Sequence, residues 1–352
     1  MATSNLNETT FEEHIAQQLA GSDLYNQRTS RDFDIEHLCD REMLERFLRQ
    51  QPAVWAMLEH AFPGQETDEV VKQLNSQLNR GESMLKIFRK GFKIRGKDIK
   101  FAQFKPVLAG EDSEAYRLYR SNTFSIVRQM RYSTACSDKG NELDMCILLN
   151  GLPLFTFELK NEGTGQNYAN GIYQYRYDRN PENRMLRHCL VHFVMDNNYV
   201  FMTTRLKGAE TKFLPFNQDS VNPPIEDEYP VAYMWQHILQ ADSILDLLEN
   251  FIKRYNDEDG KPVVIFPRFH QLRAVRKLSE EGAGHNYLVW HSAGSGKTKT
   301  MAWLAHQLAN MTNEDHSCVF DSIIMVTDRI VLNRNMAEDV VNFEDVVGTV
   351  KD

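Results

Sequence analysis

Two groups of residues in this chain have types and spacing that could do chemistry. The first is HSAGSGKT, from His291 to Thr298, set between the apolar run NYLVW and the helical pattern KTMAWLAHQLA. Strand, glycine-rich loop, helix is the context in which such a loop holds phosphate. Gly294 and Gly296 let the backbone turn tightly around Ser295. The inward N–H groups and the helix N-terminus then cradle the anion. Lys297 would reach the β- and γ-phosphates of ATP, and Thr298 would hold Mg²⁺. The bland alternative is a chance loop of the same composition, and the flanking patterns argue against it.

The second group is Asp144 followed by Glu158-Leu159-Lys160. Along a strand the side-chain period is two, so Glu158 and Lys160 share a face. Asp144, on a neighbouring strand, could face them. Asp144 and Glu158 with a carbonyl oxygen make a hard-oxygen site for Mg²⁺. The metal would polarise a phosphate and lower the pKa of a bound water. Lys160 would orient or deprotonate that water, or stabilise developing charge. Unsupported, three such residues are more often a surface salt-bridge cluster. Here Phe155, Phe157 and Leu159 make the other face of the strand apolar, which favours a role for the charges.

The elements that must position these residues can be read from the pattern. LDMCILLN and LPLFTFELK flank Asn150-Gly151, a strong two-residue hairpin turn, so Asp144 and Glu158 fall on adjacent strands. FSIVRQMRYS (Phe124 to Ser133) is a further strand. LVHFVMDNNYVFMTT holds two more around Asp196-Asn197-Asn198. After Lys160 a polar loop leads to a helix with Gln174. Upstream, Leu44, Phe47, Leu48, Val54, Trp55 and Leu58 recur at helical spacing. Gln218 to Pro230 is a loop, WQHILQADSILDLLENFIKRY is an amphipathic helix or helix pair, and Asn256 to Pro262 is a polar linker. The last 90 or so residues read helix, strand, loop, helix, strand, the alternation of a parallel sheet.

The expected class is therefore α/β, in two parts. Residues 1–255 form the first, with a helical start (about 1–85), a core (about 110–215) and a helical linker (231–255). Residues 262–352 form the second. Lys86 to Lys105 holds eight basic residues against Asp98 alone, in a chain whose formal charge is −9. That window could grip a phosphate backbone or be a solvated face. Composition, 42% hydrophobic and 25% charged, excludes wholesale disorder and fibrous repeats. No run reaches the roughly 18 apolar residues of a membrane span. The polar, acidic N-terminus is no secretory signal. The five cysteines form no CxxC pair, which fits a reducing cytoplasm.

A D…ExK hairpin, a helical linker and then a phosphate loop is a specific order. It resembles the restriction subunit of type I restriction-modification enzymes. The phrases that carry the likeness are NTFSIVRQ, NELDMCILLNGLPLFTFELKN, YMWQHILQADSILDLLENFI, FPRFHQLRAV, WHSAGSGKT and VTDRIVLNRNM, from about Asn122 to about Met336. The first hundred residues add little to it. The resemblance implies a PD-(D/E)XK nuclease domain with Asp144, Glu158 and Lys160 catalytic, and Gln174 carried over as a fourth. The tyrosine that the family places four residues after the glutamine is Asp178 here, with Tyr177 one short. It implies that residues 262–352 begin a RecA-like superfamily-two helicase lobe, with Gln271 beside adenine and Asp328-Arg329 at the end of the next strand. His291 replaces the first glycine of the strict phosphate loop, a departure common in that superfamily.

The implied activity is a type I site-specific deoxyribonuclease, a Mg²⁺-dependent endonuclease on double-stranded DNA coupled to ATP-driven translocation. The implied partners are a methyltransferase subunit and a DNA-specificity subunit. No Asp-Glu pair on a later strand and no second lobe follow, so the motor reads as truncated and its ATPase as incomplete. The alternatives are a RecB-like repair nuclease–helicase, a catalytically silent DNA- or subunit-docking fragment, and an anion-binding α/β domain without nuclease activity.

Overall fold

A computed structural model describes residues 8–21, 24–107, 109–134, 141–256, 262–313 and 317–326. The chain divides into two compact units, Met1–Leu248 and Glu249–Asp352.

The first unit is built on a seven-stranded mixed sheet. In chain order its elements begin with α1 (Glu8–Ala20), β1 (Tyr25–Arg28), α2 (Arg41–Leu48), α3 (Pro52–Ala61), α4 (Glu66–Asn79) and α5 (Met84–Lys90). The small hairpin β2 (Phe92–Ile94) and β3 (Lys97–Ile99) and helix α6 (Glu114–Arg120) come next. Then follow β4 (Phe124–Arg131), β5 (Glu142–Leu149), β6 (Leu152–Leu159) and α7 (Tyr168–Tyr173), which runs on as a π-helical turn, Gln174–Asp178. Helix α8 (Arg184–His188), β7 (Val191–Met195), β8 (Val200–Thr203) and β9 (Leu214–Pro215) complete the sheet. Strand order is β1-β4-β5-β6-β7-β8-β9. The β1–β4 and β6–β7 pairs are parallel, the others antiparallel. All eight residues of β6 are buried, so both faces of the sheet centre are covered.

The amphipathic spacing read for Leu44 to Leu58 corresponds to α2 and α3, and all six apolar residues are buried. Asp40 caps α2 through Met43 N–H (3.2 Å), and Pro52 opens α3 where its missing N–H costs nothing. The part expected to be helical also supplies β1, the edge strand. The strand expected to reach Ser133 ends at Arg131. The expected linker helix is broken, with a π-helical turn at Met234–Ile238 and a new helix, α9, at Ala241–Asp246. Its last residues leave the helix altogether. Strand β10 (Lys253–Asn256) pairs antiparallel with β11 (Pro262–Ile265).

In the second unit α10 (Phe269–Glu281) packs against α11 (Lys297–Ala309), with Leu272, Val275, Ala302 and Trp303 buried. The two expected strands are absent among the described residues. NYLVW has no strand pairing, and Leu288 and Trp290 are more than 90% exposed, at 93% and 92%. Ile324 and Val326 are likewise exposed. A parallel strand needs neighbours for its N–H and C=O groups, and no described residue supplies them here. Asp328 and Arg329 lie outside the described residues. No helix among the described residues is long and apolar enough to cross a membrane.

Candidate functional site

The expected hairpin forms at Asn150-Gly151, with φ of 51° and 83°, the left-handed pair of a tight two-residue turn. Unlike most hairpin tips it is buried. Asn150 donates to Phe101 O and Asn122 Oδ1 and accepts from Thr123 N–H. A Cβ on Gly151 would lie 2.4 Å from Asp40 O, so only glycine fits.

The turn alone would give the wrong register. Leu149 faces Leu152 and Leu148 faces Pro153, but Ile147 faces Phe155. One extra residue, Leu154, is therefore bulged into β6. Without it Asp144 would oppose Phe157, and Glu158 and Lys160 would point to the other side of the sheet. With it Asp144 lies opposite Glu158, and the two carboxylates share a face. Pro153 is the local signal, because a proline inside a central strand belongs at a bulge.

Asp144 Oδ2 accepts the Leu159 N–H (2.6 Å) and a bond from Lys160 Nζ (3.0 Å). Lys160 Nζ also donates to Leu159 O at 2.9 Å. The Lys160 side chain is 2% exposed and that of Asp144 16%. The cluster therefore opens to solvent at the aspartate. Glu158 is fully buried. Its Oε1 takes two nitrogens of Arg179, Nε and Nη2, each at 2.7 Å, and its Oε2 has no hydrogen-bond partner. Burial pushes the Glu158 carboxyl up to about 8. The Asp144 charge adds to this, and Arg179 and Lys160 oppose it.

The helix after Lys160 is held on this face by close contact. A Cβ on Gly171 would meet Val194 Cγ1 at 2.7 Å and Glu158 Cβ at 3.4 Å. Asp196 Oδ2 accepts the Tyr168 N–H at the start of α7 (2.9 Å). Tyr175 OH bonds Thr156 Oγ1 (2.8 Å), which also bonds His192 Nδ1 (2.7 Å), all three buried. Burial lowers His192 to about 3, so this network is neutral. Gln174 stands beside Tyr175, and its Oε1 is buried with no partner. The helix therefore brings Arg179 to the strand that carries Glu158, while Gln174 begins the π-helical turn that leads to it. Tyr177 is exposed on its outer face, its ring tilted against that of Tyr173 with centroids 4.7 Å apart.

Three residues escaped the sequence reading. Arg179 is one. The others are Glu12 on α1 and Gln129 on β4. Gln129 lies across from Asp144 in the ladder and has φ of 48°, a left-handed conformation unusual in a strand. Its Nε2 donates to both Glu12 oxygens (2.9 and 3.1 Å). Glu12 is 2% exposed, and burial raises its carboxyl to about 7 against the Gln129 bond, with Asp144 adding to the rise. No local pattern marks a lone acid on an N-terminal helix as part of a site over a hundred residues away.

Does this donor set suit Mg²⁺? No group of three or more His, Cys, Asp or Glu among the described residues could hold a metal. Two carboxylates and a carbonyl would leave several waters on the ion, which is how Mg²⁺ commonly binds. The buried Glu158 Oε2 has no hydrogen-bond partner, and a cation bound there would displace the proton that burial favours. The residues fit.

In the second unit, α11 begins at Lys297, and Gly294 and Gly296 have φ of 74° and 84°. Lys297 Nζ lies over its own loop, on His291 O (3.3 Å) and Ser292 O (2.9 Å). Ser295 is buried, Thr298 half-buried on the first turn of α11. Gln271, expected beside adenine, packs against the loop backbone, with Nε2 donating to Gly296 O at 3.0 Å. Its Oε1 accepts the Arg268 N–H. A Cβ on Gly296 would strike that amide at 2.6 Å.

Residues 5–211 match the family model described as type I restriction enzyme R protein N terminus, and residues 270–351 match that of the SWI2/SNF2 ATPase. The first match takes in the first hundred residues, which the motifs alone had left out. Similar curated proteins are endonuclease subunits of type I restriction enzymes. The HindI subunit of Haemophilus influenzae is 22% identical over 86% of this chain and 29% of its own length. The MjaVIIIP subunit of Methanocaldococcus jannaschii is 27% identical over 65% of this chain and 23% of its own. The SauMSSORF170P subunit of Staphylococcus aureus is 25% identical over 66% and 24%. The chain spans about a quarter of the length of the curated relatives it matches.

Proposed function

This chain belongs to the type I restriction enzyme R protein N-terminal family, and on that premise we propose that its first unit is a PD-(D/E)XK nuclease that cuts double-stranded DNA. The second unit is proposed as the start of a RecA-like, ATP-binding lobe of a DNA translocase. A methyltransferase subunit and a DNA-specificity subunit are the proposed partners of the whole protein.

One observation carries the nuclease reading. Asp144, Glu158 and Lys160 converge on a single buried face, with the Glu158 Oε2 acceptor left open. Asp144, Glu158 and the Leu159 carbonyl would hold Mg²⁺. When bound, the ion supplies positive charge to the scissile phosphate and lowers the pKa of a water. The chain's own residues do the rest. The Leu159 N–H and the Lys160 ammonium both donate to Asp144 Oδ2 and fix the carboxylate by that oxygen. Lys160, shielded from solvent, faces developing negative charge in a low-dielectric site, where one cation is worth more than at the surface. Gln174 Oε1, buried on the covering helix with no partner, is proposed to orient a water or a phosphate-bound group.

The β2–β3 hairpin is the proposed grip on the duplex. Lys93, Arg95 and Lys97 are exposed at its tip, with Lys90 and Lys105 exposed nearby in sequence. Such cations release counterions from DNA without reading sequence.

A calorimetric titration with Mg²⁺ tests the site. One site in the wild type that disappears in Asp144→Ala supports the reading. Equal binding by both proteins would return the cluster to a salt bridge.

A further inference from the structure

We propose that Arg179 is a positioning residue for the divalent cation: it holds Glu158 by Oε1 and thereby presents Oε2 to the ion. The inference rests on reading Glu158 as a metal ligand.

The geometry is specific. An arginine facing a carboxylate commonly pairs two nitrogens with two oxygens. Here Nε and Nη2 both fall on Oε1, at 2.7 Å each, and Oε2 is left without a partner in a fully buried position. A fork closed on both oxygens would block the ion. A fork closed on one oxygen fixes the carboxylate plane and leaves the other oxygen open.

The guanidinium is itself fixed. It lies 5.9 Å from the centre of the Tyr132 ring, and its side chain is 4% exposed. The Arg179 N–H bonds Gln174 O (3.0 Å), closing the π-helical turn. The turn thus sets Arg179 against the strand that carries Glu158. Stability alone is a poor reason for this pair, since desolvating two charges offsets much of their attraction. Partners that orient a ligand are a general requirement of metal sites.

The test measures Mn²⁺ binding to the full chain by calorimetry, beside circular dichroism and the melting temperature. Arg179→Gln is expected to weaken binding by about 10- to 100-fold. Arg179→Lys keeps the charge but not the two-pronged hold, and a loss of about three- to tenfold is expected. Should the Gln variant fail to fold, the Lys variant decides. A purely structural Arg179 would lower the melting temperature and leave Mn²⁺ affinity unchanged, so either folded variant binding as tightly as wild type overturns the inference. Glu158→Gln separates the two levels. Wild-type Mn²⁺ binding that Glu158→Gln does not weaken removes the site reading, and this inference with it.

Discussion

In the first unit, Glu158 and Lys160 lie at the end of a central strand, covered by a helix and fixed by neighbours on β5 and after α7. In the second unit, Lys297 reaches back over the carbonyls of its own loop, and apolar residues on either side are exposed. Among the described residues, the stronger sequence motif therefore has the weaker scaffold. The difference follows from how each is encoded. The phosphate loop is contiguous, so two glycines and a helix start set its shape locally, with φ of 74° and 84° at Gly294 and Gly296. The carboxylate site is assembled across a hairpin and a parallel crossover. Its three residues mean little until a bulge sets the register.

The largest expected effect separates the two units chemically. In the assembled enzyme, Glu158→Ala should reduce DNA cleavage on the order of a thousandfold, since a lost metal ligand removes several kcal/mol of transition-state stabilisation. ATP hydrolysis should continue. Lys297→Ala should do the reverse to hydrolysis while leaving metal binding by the first unit unchanged. Cleavage by the Glu158→Ala complex at near wild-type rate would break the comparison.

A second expectation concerns Glu12. Its folded pKa, about 7, lies above the ordinary 4.5, so the folded state binds this proton more tightly. The stability it confers is complete below about pH 4.5 and is lost as pH rises through 7. Glu12→Gln should therefore stabilise the chain at pH 8.5, by about 2 to 3 kcal/mol, and change little at pH 4. Melting curves at the two pH values check this, and an equal shift at both would assign the effect to packing.

Much of this was legible in the sequence, for physical reasons that differ by element. Asn150-Gly151 encodes its own turn, and Leu44 to Leu58 carry a helical period, so both were read from local pattern. The register was not, because the two-residue turn implies a ladder that Leu154 then shifts. Pro153 is the residue in the sequence that marks that shift. Glu12, Gln129 and Arg179 were invisible because each acts through a partner distant in sequence. The runs NYLVW and SIIMV failed in the opposite way. Their apolar character promises strands, but strand formation depends on neighbours that the run itself does not specify.

A third expectation sharpens the contrast at the phosphate loop. With its flanking runs unpaired among the described residues, the loop should bind ATP only in the millimolar to high-micromolar range, worth roughly 4 to 6 kcal/mol. DNA-stimulated turnover is not expected from it alone. Equilibrium binding with a Lys297→Ala control measures this, and sub-micromolar affinity would show that the loop needs no further scaffold.

The smallest effect belongs to the β2–β3 hairpin. Reversing two of Lys93, Arg95 and Lys97 should weaken duplex binding equally across sequences and reduce the salt slope by about 0.9 per lost contact. An unchanged slope would make the hairpin a solvated face.

The account depends most on Asp144 and Glu158 meeting at one cation. A crystal of the chain soaked in Mn²⁺, with anomalous data at the manganese edge, tests this directly. The expected result is a single ion bound by Asp144 and by Glu158 Oε2, with Arg179 still on Oε1. Density for the ion at any other place, or none with Glu158 clasped by Arg179 through both oxygens, would contradict it.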